Sequence, residues 1–90
     1  MEQLAVLFYD YAPDVLERRE PHREGHLDLL RERHDAGDCV MAGALGDPPH
    51  GAAIVFRSAA AAAAFVERDP YVSAGVVSAH RVEPWAVVVS

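Results

Sequence analysis

Apolar and polar residues fall along this chain in short blocks, each bounded by turn-forming residues. Leu4–Phe8 is a continuous apolar run, stopped by Tyr9-Asp10 and Pro13. It is too short for an ordinary helix and predicts a strand buried on both faces. Asp14, with Glu17 three residues on, has the form of a helix-start box. Pro21 would break a helix interior but suits a first helical position. A short turn over 14–19 and a main helix over 21–36 are therefore predicted, with one kinked helix from Asp14 as the alternative. Leu27 and Leu30, continued by His34, form the expected apolar stripe, and Gly37 supplies a left-handed stop. Cys39–Leu45 predicts a second strand, 46–51 a turn, and Ala53–Arg57 a third strand that closes a hairpin. Ser58 is a natural N-cap for a helix built on six alanines, 59–64, with Phe65 and Val66 as apolar anchors. Asp69-Pro70 ends that helix, because the residue before proline avoids the α region. Tyr71–Val76 predicts a short turn or helix. Val77–Val82 and Trp85–Val89 predict a final strand region interrupted by Pro84, which suits an edge, a bulge or a bend.

The order β-α-β-β-α-β is the split βαβ, ferredoxin-like arrangement of an α+β fold, with one antiparallel sheet and both helices on one face. Leu4–Phe8 and Ala86–Val89 are apolar without alternation, so both faces of those strands call for burial. Two helices cover only one. An apolar sheet face left in water is poorly tolerated, so a homodimer is expected, packed sheet on sheet into a dimeric α+β barrel. A monomer whose terminal residues cover the open face is the alternative.

Ninety residues make room for one domain, spanning 1–90. All eight basic residues are arginines, against 14 acidic ones, and the net charge of −6 speaks against a nucleic-acid partner. The lone cysteine, Cys39, excludes an internal disulfide and a Cys-built zinc site, and in an apolar strand it reads as an inert core residue. The opening Met1-Glu2-Gln3 has no basic leader, and no apolar run approaches the roughly 20 residues of a membrane helix. A cytoplasmic protein without a membrane partner is expected.

Candidate chemistry is sparse. His22 and His26 stand four apart on one predicted helix and could face the same way. The metalloprotease pattern needs Glu directly after the first His, where this chain has Arg23, and no spacing points to His80 or Asp69 as a third ligand. No metal is expected. His26 alone borders the buried side through Leu30, which suits either a general acid–base role or a core-edge histidine bonded to backbone. Asp69 sits at a helix end, where its charge opposes the dipole, so it either bonds local amides or serves another side chain. The 47–51 loop is a stiff hairpin turn or a pocket lid. There is no phosphate-binding glycine loop before a helix and no Gly-x-Ser-x-Gly elbow; no cofactor is expected, and a small-molecule ligand is the remaining partner.

Three segments together resemble a known family: Arg23-Glu24-Gly25-His26-Leu27, Gly43-Ala44-Leu45-x-Asp47-Pro48, and Asp69-Pro70-Tyr71-Val72-x-Ala74-Gly75-Val76. With Phe8-Tyr9-Asp10 and Arg81-Val82-x-Pro84-Trp85, the chain is similar over nearly its whole length to the YciI-like, YCII-related family. The resemblance implies the dimeric α+β barrel already expected from burial. It also implies a His–Asp active-site pair, carried here by His26 and Asp69; His22 and His34 match no family motif. Relatives include a dehydrochlorinase of a chlorinated hydroxyquinol-type aromatic, and muconolactone isomerase has a similar barrel. Gly25 and the bare alanine tract depart from many members. Gly25 costs about 1 kcal/mol of helix stability relative to alanine and either gives a ligand room or eases packing.

The reading that follows is a small cofactor-independent enzyme of proton-transfer type, an eliminase or isomerase. His26 is its base, Asp69 orients that base, Arg23 faces an anionic substrate, and Tyr71 is a pocket wall. His26 and Asp69 are expected within direct or one-water hydrogen-bonding reach. The rivals are a dimeric module that binds a small ligand without turnover, and an accessory domain that only dimerises.

Overall fold

The computed structural model describes residues 2–90. Its elements are β1 (Glu2–Tyr11), α1 (Val15–Arg18), a 3₁₀ turn (Glu20–His22), α2 (Arg23–Asp35), β2 (Cys39–Leu45), β3 (Gly51–Phe56), α3 (Ala59–Arg68), α4 (Pro70–Ser73) and β4 (Val77–Val87). The sheet order is β2-β3-β1-β4, and every neighbouring pair is antiparallel. This is the ferredoxin-like topology that the element order predicts.

β1 outruns its apolar core of Leu4–Phe8 because the alternation continues through Tyr9 and Tyr11. Ala5, Leu7 and Tyr9 lie opposite Phe56, Ile54 and Ala52 of β3, and all six are buried. Leu29 of α2 and Ala62 and Phe65 of α3 close over them in one cluster. Phe65 meets Phe56 with ring centroids 5.3 Å apart. Val6 and Phe8 lie opposite Val55 and Ala53 and belong to the other face.

The helix boundaries follow local chemistry. Ser58 caps α3 by accepting a hydrogen bond from the Ala61 amide at 3.1 Å. Gly37 takes φ +90° directly after α2 and its capping residue, Ala36. Two helical expectations need correction. Asp14 caps nothing; both its oxygens go to the Arg18 guanidinium one turn on, at 2.9 and 3.0 Å. The buried face of α2 is carried by His26 and Leu29, with Leu27 and Leu30 flanking it half-buried and His34 exposed. A polar histidine takes a core position there, which apolar spacing alone assigns to leucine.

β4 runs unbroken through Pro84, which faces Ala5. As an edge strand it tolerates a residue without an N–H. The strand ends at Val87, opposite Glu2, two residues short of the expected Val89. Val88 and Val89 are 79% and 87% exposed in the single chain. Further apolar surface lies on the helix-free face of the sheet. There Val6, Phe8, Met41, Leu45, Val55 and Trp85 line a concavity of about 640 Å³. No helix among the described residues is long and apolar enough to cross a membrane.

Replacing Ser58 with alanine removes its side-chain acceptor from the Ala61 amide in the first turn of α3. Stability should fall by about 1 kcal/mol, read as a lower urea midpoint with an unchanged slope.

Candidate active site

The site begins with a backbone constraint. Pro70 forces Asp69 out of the α region, and Asp69 takes φ −74° and ψ 117° between α3 and α4. The carboxylate thereby caps α4, accepting from the Tyr71 amide at 3.0 Å. It also serves side chains. The Tyr9 hydroxyl donates to Oδ2 at 2.8 Å, and His26 Nδ1 lies 2.9 Å from Oδ1 and 3.0 Å from Oδ2. Asp69 is 1% exposed and His26 5%. A buried carboxylate is tolerated only when paired and hydrogen-bonded, and this one receives donors from β1, α2 and α4. Both alternatives left open for Asp69, local amide capping and service to another side chain, are realised at once.

Gly25 stands where α2 meets α4: a Cβ at that position would lie 3.3 Å from Pro70 Cγ, a tight contact, which is consistent with its easing packing there. The His26 ring lies parallel to Tyr71, with centroids 3.7 Å apart and an interplanar angle of 2°, and meets Phe65 edge-on at 6.3 Å. Its orientation is set on three sides.

An ionised carboxylate only accepts, so Nδ1 donates to Asp69 and the neutral ring keeps its lone pair on Nε2. Nε2 has no hydrogen-bond partner among the described residues and is not one of their enclosed, unpartnered atoms. His26 lines a pocket of about 170 Å³ between α2 and the helix-facing side of the sheet, together with Tyr11, Arg19, Arg23, Tyr71 and Ile54. The three tyrosines are held protonated. Burial first, then the Asp69 charge and hydrogen bond, push the Tyr9 phenol far above its ordinary range. Burial, reinforced by the Tyr71 and Asp69 charges and opposed by Arg19 and Arg23, raises Tyr11 to about 12. Burial raises Tyr71 against the same two arginines.

His26, Asp69 and Tyr71 thus meet, and Arg23 stands on the same pocket. Tyr9, Tyr11 and Arg19 escaped the sequence reading; the i, i+2, i+4 alternation of Leu7, Tyr9 and Tyr11 was the available signal for the two tyrosines. His22 lies in the 3₁₀ turn, and His34 and His80 are exposed. No three metal-ligating side chains converge among the described residues. The 47–51 segment contributes nothing to the pocket lining. Cys39 is buried, and desolvation raises its thiol pKa, as an inert core residue requires.

The YCII-related domain matches residues 3–86. Two proteins named YciI, from Escherichia coli and Shigella flexneri, are each 34% identical over 96 residues, covering 94% of this chain and 98% of the relative. Among solved structures, 5-chloro-2-hydroxyhydroquinone dehydrochlorinase of Burkholderia phenoliruptrix, in complex with 2,5-dihydroxybenzoquinone, superposes with a TM-score of 0.75. The identity is 24%, with 92% of this chain and 93% of that chain covered. A candidate antibiotic biosynthesis monooxygenase from Deinococcus radiodurans superposes with a TM-score of 0.55 at 9% identity, covering 98% and 94%. Both likenesses place the chain among α+β proteins of ferredoxin-like type.

Two outcomes follow from the buried phenols. Tyr9→Phe leaves Asp69 one donor short, and stability should drop by about 1–3 kcal/mol in urea titrations. For pH, the folded phenols hold their protons above the unfolded pKa of 10.0, and Tyr11 does so up to about 12. Above the unfolded value the unfolded chain binds fewer protons, so folding stability should decline as pH rises from there through the folded value. Urea midpoints across that range should fall, and less steeply in Tyr11→Phe.

Proposed function

The chain belongs to the YCII-related family, and on that premise we propose that it is a small enzyme of proton-transfer type acting on a small cyclic or aromatic substrate without a cofactor. One observation carries this reading. His26 has one nitrogen tied to a buried carboxylate and the other unpartnered at a pocket that Tyr71 helps to wall.

His26 Nε2 is the general base. Asp69 holds the tautomer and the ring plane, and it stabilises the imidazolium that forms when the proton arrives, as the acid does in a Ser-His-Asp arrangement. In an elimination the base takes a proton from the substrate, the electron pair forms the new double bond, and the leaving group departs with its electrons. In an isomerisation the imidazolium returns the proton at another carbon. Neither needs an external oxidant. Acid–base help of this kind supplies roughly 10²–10⁴-fold. The dehydrochlorinase likeness favours elimination. Chloride release from 5-chloro-2-hydroxyhydroquinone is the test. His26→Gln and Asp69→Asn should each slow it by roughly 10²-fold or more. Equal rates in wild type and both variants would remove the base from the mechanism. Saturable binding of 2,5-dihydroxybenzoquinone with no turnover of any chlorinated quinol would favour the binding module instead.

The assembly we propose is a homodimer. On the helix-free face Met41 is 60% exposed and Trp85 45%, around a concavity lined largely by apolar side chains. None of the described elements covers that face, and a second copy packed sheet on sheet would do so. A cytoplasmic location belongs to the same proposal; the single buried cysteine has no disulfide partner that would mark an oxidising compartment. Sedimentation equilibrium at micromolar concentration should give twice the 9.8 kDa chain mass, falling to one chain in Trp85→Glu. A wild-type monomer would overturn the barrel assembly.

A further inference from the structure

The arginines are not distributed evenly. The chain has eight, and among the described residues six are in ion pairs: Arg18 with Asp14, Arg31 with Asp28, Arg33 with Glu32 and Asp38, Arg57 with Glu2, Arg68 with Glu32, and Arg81 with Glu83. Among the described residues Arg19 and Arg23 have no carboxylate within ion-pairing distance, and these two stand on the pocket beside His26. In a chain of net charge −6, acidic partners are plentiful. Two neighbouring guanidiniums left without one form a local positive site in an acidic protein.

Arg19 is the more telling of the pair. It is half-buried, and its Nε is enclosed with no acceptor. Arg33 Nε is also enclosed and unpartnered, but the other nitrogens of that guanidinium hold Glu32 and Asp38. Among the described residues no acceptor meets the Arg19 guanidinium, although its backbone amide donates to Val15 O. An enclosed donor without an acceptor carries a desolvation cost that a bound anion would offset. Among the described residues no acidic side chain lines the pocket. Asp69 lies behind the His26 ring with its oxygens engaged by Tyr9, His26 and the Tyr71 amide. Glu20 acts on Tyr71 through space but pairs with neither arginine. The remaining wall is small and apolar, including Leu27, Leu30, Ala44 and Ile54. At about 170 Å³ the space suits a single ring, since a cavity of roughly 150 Å³ accepts benzene.

We infer that Arg19 and Arg23 form an anion clamp that selects a monocyclic substrate bearing a negatively charged oxygen, a carboxylate or an acidic enol or phenol, and presents its ring to His26 Nε2. The inference rests on the proposed site and specifies its substrate class. Arg19 and Arg23 are orienting residues; the base remains His26. The planar fork of a guanidinium matches a two-oxygen anion in a way that an ammonium does not, which is consistent with arginine at both positions.

Benzoate and benzamide, alike in shape and different in charge, are the probes. Binding is followed by the ¹⁵N-detected Arg side-chain Nε–H resonances and the His26 ring signals. Benzoate should saturate and shift Arg19 and Arg23, and benzamide should bind at least ten-fold more weakly. Arg19→Gln and Arg23→Gln should each weaken benzoate by roughly ten- to hundred-fold, the usual worth of a hydrogen bond to a charged group, and leave benzamide unchanged. Arg19→Lys, which keeps the charge and the fold, should fall between wild type and Gln. Arg57→Gln, outside the pocket, should change nothing. His26→Gln should retain benzoate binding, so loss of the clamp and loss of the base are read separately. Equal affinity for the two probes, no saturable benzoate shift, or full benzoate affinity in folded Arg19→Gln would overturn the clamp. A clamp that persists in a protein without turnover would leave it standing and remove only the enzymatic reading.

Discussion

The buried carboxylate of Asp69 is the constraint on which the helix side of this protein depends. A lone ionised acid in a core costs several kcal/mol, and here the cost is offset only if Tyr9 of β1, His26 of α2 and the Tyr71 amide of α4 all arrive. The three come from segments far apart in the chain. Satisfying one anion therefore ties α2 and α4 to the sheet, with Gly25 at their close contact. Packing and electrostatics select the same arrangement, so the position of His26 belongs to the fold itself rather than to a mobile loop.

That rigidity shapes the chemistry. A base is useful when one nitrogen is held and the other is free, and the His26 ring, clasped between Asp69, Tyr71 and Phe65, has that division. Tyr9 is a positioning residue: its hydroxyl touches Asp69, and burial keeps it protonated as a donor. Arg19 and Arg23 line the same pocket as His26 and Tyr71, and among the described residues neither guanidinium is in an ion pair.

The two faces of the sheet pose different problems. On the helix side, leucine, isoleucine and phenylalanine close into a core around Leu7, Ile54 and Phe56. On the other side a comparable run of apolar residues is covered by no element among the described residues, and the concavity there is far larger than the pocket at His26. Small chains bury a smaller fraction of their surface than large ones, and two long helices suffice for one face of a four-stranded sheet.

Much of this was legible in the residues. Element order, the Ser58 cap, the Gly37 stop, the break at Asp69-Pro70 and the ferredoxin-like topology are local or pattern properties, set by proline, glycine and hydroxyl chemistry over a few positions. The pairing of His26 with Asp69 entered the sequence reading through its resemblance to a family, because no spacing rule links residues 43 apart. What tertiary structure alone decided was contact between distant segments. The rotation of α2 put Leu29 and His26 inward instead of a Leu27–Leu30–His34 stripe. Strand register placed Tyr9 beneath Asp69. The isolation of Arg19 and Arg23 from acids is of the same kind. Ion pairing depends on where side chains meet in space, and in a sequence this rich in Asp and Glu, proximity along the chain says nothing of which arginines are left without a partner.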